Sequence, residues 1–257
     1  VSADARRQAE QFTEAIEGDR RDLTGRTIIT IDPIDARDFD DAISLERIER
    51  GHWLLGVHIA DVSYFVREGS ALDQEALLRG TSVYLPDRVI PMLPEIVSNN
   101  LASLQPGRVR YARTCWMEFT PDGVPIHAEV ERSAIKSVRR FAYEEVDVFL
   151  ADPATQAVEM TDAVRSLLGR MRDLSRILRA RRTARGALEL SMPEVKIDLD
   201  RDGRVAGAHI VENTESHQII EEFMLSANEA VAEALRAAEA PFLLSLIHIS
   251  EPTRPRL

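Results

Sequence analysis

Cysteine is almost absent from this sequence of 257 residues, in which Cys115 is the only one. A lone cysteine excludes an internal disulfide framework and any zinc site built on cysteine ligands. Cys115 lies between Thr114 and Trp116 in a strand-like stretch, which is typical of a core thiol rather than a nucleophile. The chemistry of the protein therefore has to come from other side chains.

Long apolar runs are also missing. No segment approaches the roughly 18 apolar residues that a membrane-spanning helix needs, and the amino terminus lacks the apolar stretch of a signal peptide. We therefore expect a globular cytoplasmic protein without a membrane partner. Lysine is scarce as well, since Lys136 and Lys196 are the only two. A GC-rich coding bias explains the excess of arginine without any reference to phosphate binding.

The net charge of −11 counts against a nucleic-acid partner, because phosphate binding is driven by basic side chains that release counterions. The distribution of charge matters more than its sum. Carboxylates gathered around a divalent cation do not repel a phosphate, since the metal inverts the local charge. The acidity is compatible with a metal-dependent nuclease but does not predict one.

The hydrophobic periodicity predicts an α+β fold with a mixed or antiparallel sheet and long packing helices. Residues 1–23 have the pattern of a charged helix or linker. Apolar residues alternate at 27–31, 42–48 and 53–59, and again at 111–135 around an Asp122-Gly123 turn, which predicts strands and hairpins. Ser70 and Asp73 predict the start of a short helix that ends at Gly80, and residues 86–94 are expected to form a loop.

Two long helices are predicted in the second half. Apolar residues recur at helical spacing from Val164 to Leu178, and this helix is expected to end near Gly186. The second helix is predicted from about Ser216 to Ala238. Its core-facing residues are expected to be Ile220, Phe223, Met224, Ala227, Val231 and Leu235. On the same helical wheel, Glu222, Ser226, Glu229 and Glu233 fall on the solvated side.

The densest chemical signal is a cluster of aspartates directly after the first predicted strand. It contains five carboxylates within ten residues: Asp32, Asp35, Asp38, Asp40 and Asp41. Two carboxylates about 4 Å apart repel by about 4 kcal/mol at an effective dielectric constant near 20, so a converging group needs a cation or has to protonate. Oxygen ligands favour Mg²⁺ or Mn²⁺ over zinc. On spacing alone, a solvated loop with Asx-turns remains an alternative.

The sequence motifs around these aspartates resemble the signature of the ribonuclease II/ribonuclease R (RNB) family. The similarity begins with Thr30-Ile31-Asp32 and Asp35-Ala36-Arg37-Asp38-Phe39-Asp40-Asp41-Ala42 and continues in order through the blocks at 58–64, 80–86, 90–95, 98–101 and 217–224. It covers most of residues 24 to 243. The block at 35–41 and the Thr-Ser-Val-Tyr block at 81–84 favour the ribonuclease R branch.

The resemblance implies roles for individual residues. The aspartates that match the family's catalytic Mg²⁺ site are Asp32, Asp38, Asp40 and Asp41, with Mn²⁺ as a possible substitute and Asp35 outside the set. Tyr84 matches a tyrosine that stacks on the terminal bases of RNA. Of two neighbouring acids, Glu221 is the better match to the residue that contacts ribose, since it lies at the edge of the predicted buried stripe whereas Glu222 does not.

The function implied is a 3′→5′ exoribonuclease that hydrolyses single-stranded RNA to nucleoside 5′-monophosphates and acts as a monomer. The alternative is a non-catalytic RNB-fold module that binds RNA. A metal-dependent phosphatase is disfavoured, because the other family blocks would then be coincidental. Where ribonuclease II carries a base-stacking aromatic residue, this chain has Leu188 and Leu190. His58 and the arginines at 179–185 are expected to be a core histidine and a solvated helix end.

Parts of the family pattern are not found. We interpret residues 24–243 as a partial RNB catalytic domain, since no Ser-Pro-Ile-Arg-Arg-Tyr-type segment is present. In the family that segment supplies an arginine to the scissile phosphate. Residues 244–257 resemble the translation of a transposase-type sequencing adapter, so we expect this tail to be non-native and to carry no function.

Overall fold

The main sheet sets the position of every candidate residue. The structure, a computed structural model, describes residues 2–10, 18–155, 157–188, 194–200 and 203–241. Seven strands form the sheet in the order β1-β8-β7-β4-β3-β2-β9. Their bounds are β1 (Arg21–Asp22), β2 (Ile29–Asp32), β3 (Asp41–Arg47), β4 (Trp53–Ala60), β7 (Val109–Phe119), β8 (Pro125–Lys136) and β9 (Arg139–Ala142).

Tight turns explain the antiparallel centre of this sheet. β3 and β4 are joined through Arg50 and Gly51, both with positive φ, and β7 and β8 through the predicted Asp122-Gly123 turn. β1 and β9 instead pair in parallel with β8 and β2, so each is reached by a longer connection. The predicted α+β class with a mixed sheet is confirmed.

Three helices cover one face of the sheet. They are α4 (Tyr143–Ala151), α5 (Asp162–Ala184) and α6 (Glu215–Ala237). Thr161 caps α5, and Gly186 follows its end with a φ of 92°, as the sequence predicts. The largest core cluster lies between this layer and the sheet and includes Trp53, Phe141 and Phe223.

Smaller elements lie at the other face and at the edges. They are α1 (Ala3–Glu10), α2 (Val62–Phe65), α3 (Ala71–Arg79), the β5–β6 hairpin (Val83–Tyr84 and Val89–Ile90) and the β10–β11 hairpin (Glu194–Leu199 and Val205–Val211). Ser70 caps α3 as predicted. The loop predicted at 86–94 is wrong in part, because Val89 and Ile90 pair with Tyr84 and Val83. The prolines in this stretch favoured a loop in the sequence analysis, and the short strand pairing between them gave no sequence signal.

The linker predicted at 1–23 also differs from the structure at its end. Arg21 and Asp22 pair with β8, and Leu23 is buried in the second core cluster. Arg20 donates to the buried carboxylate of Asp61 at 2.7 Å. The sheet therefore begins before residue 24. The predicted tail at 244–257 lies outside the described residues.

Two predictions of core residues are confirmed. His58 is fully buried between Ser44 and Thr114, which hydrogen bond to its two ring nitrogens, and burial lowers its pKa to about 3. Cys115 is buried as well, and burial raises the pKa of its thiol to about 11. Neither group is available for chemistry at the surface. No helix in the described part of the chain is long and apolar enough to cross a membrane.

Candidate functional site

Two aspartates meet because they occupy the ends of adjacent strands. Asp32 is the last residue of β2 and Asp41 the first residue of β3, and these strands are antiparallel with Ile29 opposite Ile43. The loop 33–40 therefore leaves and re-enters the sheet at one edge. This topology brings the two carboxylates to the same end of the sheet.

Both carboxylates are poorly solvated and incompletely hydrogen bonded. Asp32 is only 6% exposed, and one carboxylate oxygen each of Asp32 and Asp41 is buried without a hydrogen-bond partner. Burial raises the pKa of Asp32 to about 7 and that of Asp41 to about 6, and neighbouring aspartates add to both shifts. A buried carboxylate oxygen without a donor is costly, and either a proton or a cation would lower that cost.

The other two predicted ligands come from the loop. Asp38 is half-buried and Asp40 is exposed. Partial desolvation and then the charge of Asp38 raise the pKa of Asp40 to about 6. The backbone between them is fixed at Phe39, whose N–H donates to Ser103 Oγ at 3.0 Å and whose carbonyl accepts from Leu104 N–H at 2.8 Å.

The predicted metal ligands do not form a compact cluster in the described part of this structure. Among the described residues, no three His, Cys, Asp or Glu side chains converge closely enough to hold an ion. The donor set nevertheless fits a hard cation, since all four predicted ligands are carboxylates and two of them have an orphan oxygen. The structure thus places two of the predicted ligands, Asp32 and Asp41, at one end of the sheet with raised pKa values.

Two tyrosines flank the aspartates. Tyr84, on the β5–β6 hairpin, is 69% exposed, and Asp38 and Asp40 contribute to raising its pKa after desolvation. Tyr143, the first residue of α4, is the residue that sequence reasoning missed. Burial first, and then the charges of Asp41 and Asp32, raises its pKa to about 12. The signal that could have found it is its position after β9, whose pairing with β2 is not evident from sequence.

Helix α6 reaches the same region through a ring stack. The rings of His217 and Tyr143 are stacked with centroids 3.8 Å apart and planes at 13°. Glu221 lies four residues after His217, on the same side of α6, and is exposed. This places the predicted ribose-contacting acid on the side of the helix that carries the stack beside the aspartates.

The helical-wheel assignment of Glu222 to the solvated side was wrong. Glu222 is only 4% exposed and receives hydrogen bonds from the Arg182 guanidinium at 2.5 and 3.0 Å. The prediction failed because α6 packs against α5 as well as the sheet, so two of its sides are covered. The arginines at 179–185 were predicted to form a solvated helix end, and the contact with Glu222 corrects this for Arg182, which is largely buried. Arg181 and Arg185 are more exposed and form longer ion pairs with Asp122 and Glu229.

Comparison with known proteins decides the family. The family model for the RNB domain matches residues 20–255. The chain belongs to the RNB-domain family. The match begins close to β1, the first strand of the sheet.

Individual RNB-domain relatives are similar over nearly the whole chain. Ribonuclease R of Thermotoga maritima is 46% identical over 234 residues, covering 91% of this chain and 33% of the relative. Ribonuclease R 1 of Lactococcus lactis is 40% identical over 238 residues, covering 93% and 29%. The solved structure of Mycoplasma genitalium RNase R in complex with ribose-methylated single-stranded RNA gives a TM-score of 0.88 at 31% identity, covering 93% and 37%. The chain spans about a third of the length of these proteins.

Proposed function

We propose that this RNB domain belongs to a 3′→5′ exoribonuclease that hydrolyses single-stranded RNA to nucleoside 5′-monophosphates with Mg²⁺, or Mn²⁺ in its place. The observation that carries the proposal is the pair of orphan carboxylate oxygens of Asp32 and Asp41 at adjacent strand ends. The similarity to ribonuclease R proteins supports the choice of RNA as substrate.

In this proposal each residue has a separate task. Asp32, Asp38, Asp40 and Asp41 hold the cation. When bound, Mg²⁺ would activate the attacking water and stabilise the 3′ oxygen that leaves. Hydrolysis adds water across the last phosphodiester bond, so the 5′ phosphate stays on the released nucleotide and the shortened RNA ends in a 3′ hydroxyl.

The flanking residues position the RNA end. The exposed ring of Tyr84 offers a stacking face for a terminal base, and such stacking is tolerant of sequence because every base has a π face. Glu221 would accept a hydrogen bond from a ribose hydroxyl, which DNA lacks at the 2′ position. We also propose that the protein acts as a monomer in the cytoplasm.

The second candidate function is an RNA-binding module without catalysis. It is favoured by the absence, among the described residues, of any three acids or histidines close enough to hold a metal ion. The two functions agree on RNA binding and differ only in whether the aspartates bind a cation and support hydrolysis.

The test uses the chain alone and a chimera in which it replaces the matching third of the Thermotoga maritima relative. A single-stranded RNA labelled in its 3′-terminal nucleotide is incubated with Mg²⁺, and the released labelled 5′-monophosphates are measured by chromatography. Asp40→Asn is expected to reduce release at least about 100-fold, as loss of a metal-site group does in related chemistry. The matched control, Asp35→Asn, is expected to release nucleotides at the wild-type rate.

Two results would each overturn a different part of the proposal. If the chimera binds the RNA but releases nothing with Mg²⁺ or Mn²⁺, the binding module replaces the enzyme. If release persists in the Asp40→Asn chimera, the metal-site assignment fails while the enzymatic function stands.

A further inference from the structure

Arg140 lies at the same end of the sheet as the aspartates, and none of the functions proposed above involves it. It is in β9, which pairs in parallel with β2 so that Thr30 is opposite Arg140 and Asp32 is opposite Ala142. Paired residues and residues two apart in a strand share one face of a sheet. Arg140 therefore shares its face with Thr30 and Asp32.

The Arg140 guanidinium contacts both limbs of the aspartate loop. Its Nη2 donates a hydrogen bond to the carbonyl oxygen of Pro33, the first residue after Asp32. Its Cζ lies over the ring of Phe39, 5.4 Å from the ring centroid. Phe39 separates Asp38 from Asp40, so one side chain joins the outgoing and returning limbs of loop 33–40.

This contact requires the shape of arginine as well as its charge. A planar guanidinium can stack on an aromatic ring while an N–H at its edge donates to a carbonyl, whereas the lysine ammonium is a compact point charge. A second anchor holds the returning limb, where Ser103 Oγ accepts from Phe39 N–H and donates to the Arg37 carbonyl at 3.1 Å. The loop is thus held by two separate side chains.

We propose, on the basis of the function proposed above, that Arg140 is a positioning residue that holds the two limbs of loop 33–40 together so that its aspartates face one divalent cation. A simple electrostatic role makes the opposite prediction. A positive charge next to a cation site repels the cation, so removal of Arg140 would then strengthen metal binding.

The experiment measures Mn²⁺ binding by the whole chain without RNA, with electron paramagnetic resonance to count free Mn²⁺ and calorimetry to repeat the titration with Mg²⁺. The variants are Arg140→Lys, which keeps the charge, and Arg140→Met, which keeps most of the length. We expect both to raise the Kd about tenfold or more, because a lost hydrogen bond and a lost cation–π contact together amount to about 1.4 kcal/mol.

The matched control is Arg139→Met. Arg139 is next in sequence but contacts Glu145 at 3.0 Å and the ring of Phe141, and neither residue belongs to loop 33–40. We expect this variant to bind Mn²⁺ with the wild-type Kd. Hydrogen exchange of the backbone amides in loop 33–40 is expected to be faster in Arg140→Met and unchanged in Arg139→Met.

Each outcome decides a separate question. Tighter Mn²⁺ binding by Arg140→Met with wild-type binding by Arg140→Lys would overturn the positioning role and leave the proposed enzyme intact. If the wild-type chain binds neither metal, both the metal site and the positioning role fail. If Arg140→Met does not fold, Phe39→Leu removes only the stacking partner, and an unchanged Kd in that variant would also overturn the proposal.

Discussion

Replacing Asp32 by asparagine should stabilise the metal-free protein and abolish its stabilisation by Mg²⁺. The pKa of Asp32 is raised from 3.8 to about 7, chiefly by burial, and its side chain is only 6% exposed. A difference of about 3 between folded and unfolded pKa corresponds to about 4 kcal/mol. Ionised Asp32 therefore lowers the free energy of unfolding by at most about 4 kcal/mol above pH 7.

The sign follows from proton linkage. Between pH of about 4 and about 7, the folded protein keeps a proton on Asp32 that the unfolded chain has released, so the contribution of Asp32 to the stability of the metal-free protein falls as pH rises through this window. Below it both states are protonated and the effect vanishes. Asp32→Asn removes this contribution. Asp40 and Asp41, whose pKa values are raised to about 6, keep contributions of the same sign, whereas buried His58, whose pKa is lowered to about 3, contributes with the opposite sign below a pH of about 6.5.

Mg²⁺ should shift the difference in stability between the two proteins in favour of the wild-type. A ligand that binds only the folded state at a concentration of about 100 Kd stabilises it by about 2.7 kcal/mol. We expect the wild-type to gain this stability and Asp32→Asn to gain far less, because the variant has lost a charged ligand. In EDTA at pH 8 we expect Asp32→Asn to be more stable than the wild-type by between about 1 and about 4 kcal/mol.

The assay is urea unfolding followed by circular dichroism, at pH 5 and pH 8, in EDTA and in excess Mg²⁺. Asp35→Asn is the matched control, because Asp35 is exposed and its pKa is lowered by its own backbone N–H and by Lys196. This control should not be more stable than the wild-type in EDTA. The reasoning is refuted if Asp32→Asn is less stable than the wild-type in EDTA at pH 8, or if Mg²⁺ stabilises both equally.

Three further predictions concern the scaffold. Glu222→Ala removes the buried carboxylate that pairs with the Arg182 guanidinium and should cost about 3 kcal/mol, whereas Glu221→Ala, at an exposed position, should change the free energy of unfolding by less than about 0.5 kcal/mol in the same chemical denaturation. Gly56→Ala should lower stability by about 3 kcal/mol or more, because the new Cβ would lie 2.5 Å from Ser44 Oγ and 2.6 Å from Trp116 Cζ3, and a Tm equal to that of the wild-type would contradict this packing. Cys115 should not react with an aromatic disulfide reagent at pH 8 until the protein is unfolded, because it is buried and its pKa is raised to about 11. Rapid reaction of the native protein would show that the strand opens.

Local features were predicted well because short-range interactions specify them. The cap of α3 at Ser70, the Asp122-Gly123 turn and the end of α5 near Gly186 all depend on residues within a few positions of one another. Asp32 and Asp41 lie at the same edge of the sheet, since a short loop between two adjacent antiparallel strands returns the chain to that edge.

Features that depend on distant pairing could not be predicted in this way. The parallel pairing of β2 with β9 brings Arg140 and Tyr143 to the aspartates from more than 100 residues away, and neither residue has a local signal. Glu222 shows the same limit, because a helical wheel with one apolar stripe cannot show that α5 covers a second side of α6 and supplies Arg182.

By itself, the sequence determined the α+β class, the turns and caps, the resemblance to the RNB family and the identity of the carboxylates, because periodicity and motif spacing record them directly. Only the tertiary structure decided which carboxylate oxygens are buried without a partner, which acid of α6 is exposed and which arginine contacts the aspartate loop. These properties depend on desolvation and on contacts between strands and helices that are far apart in the chain, and they exist only once the sheet has assembled.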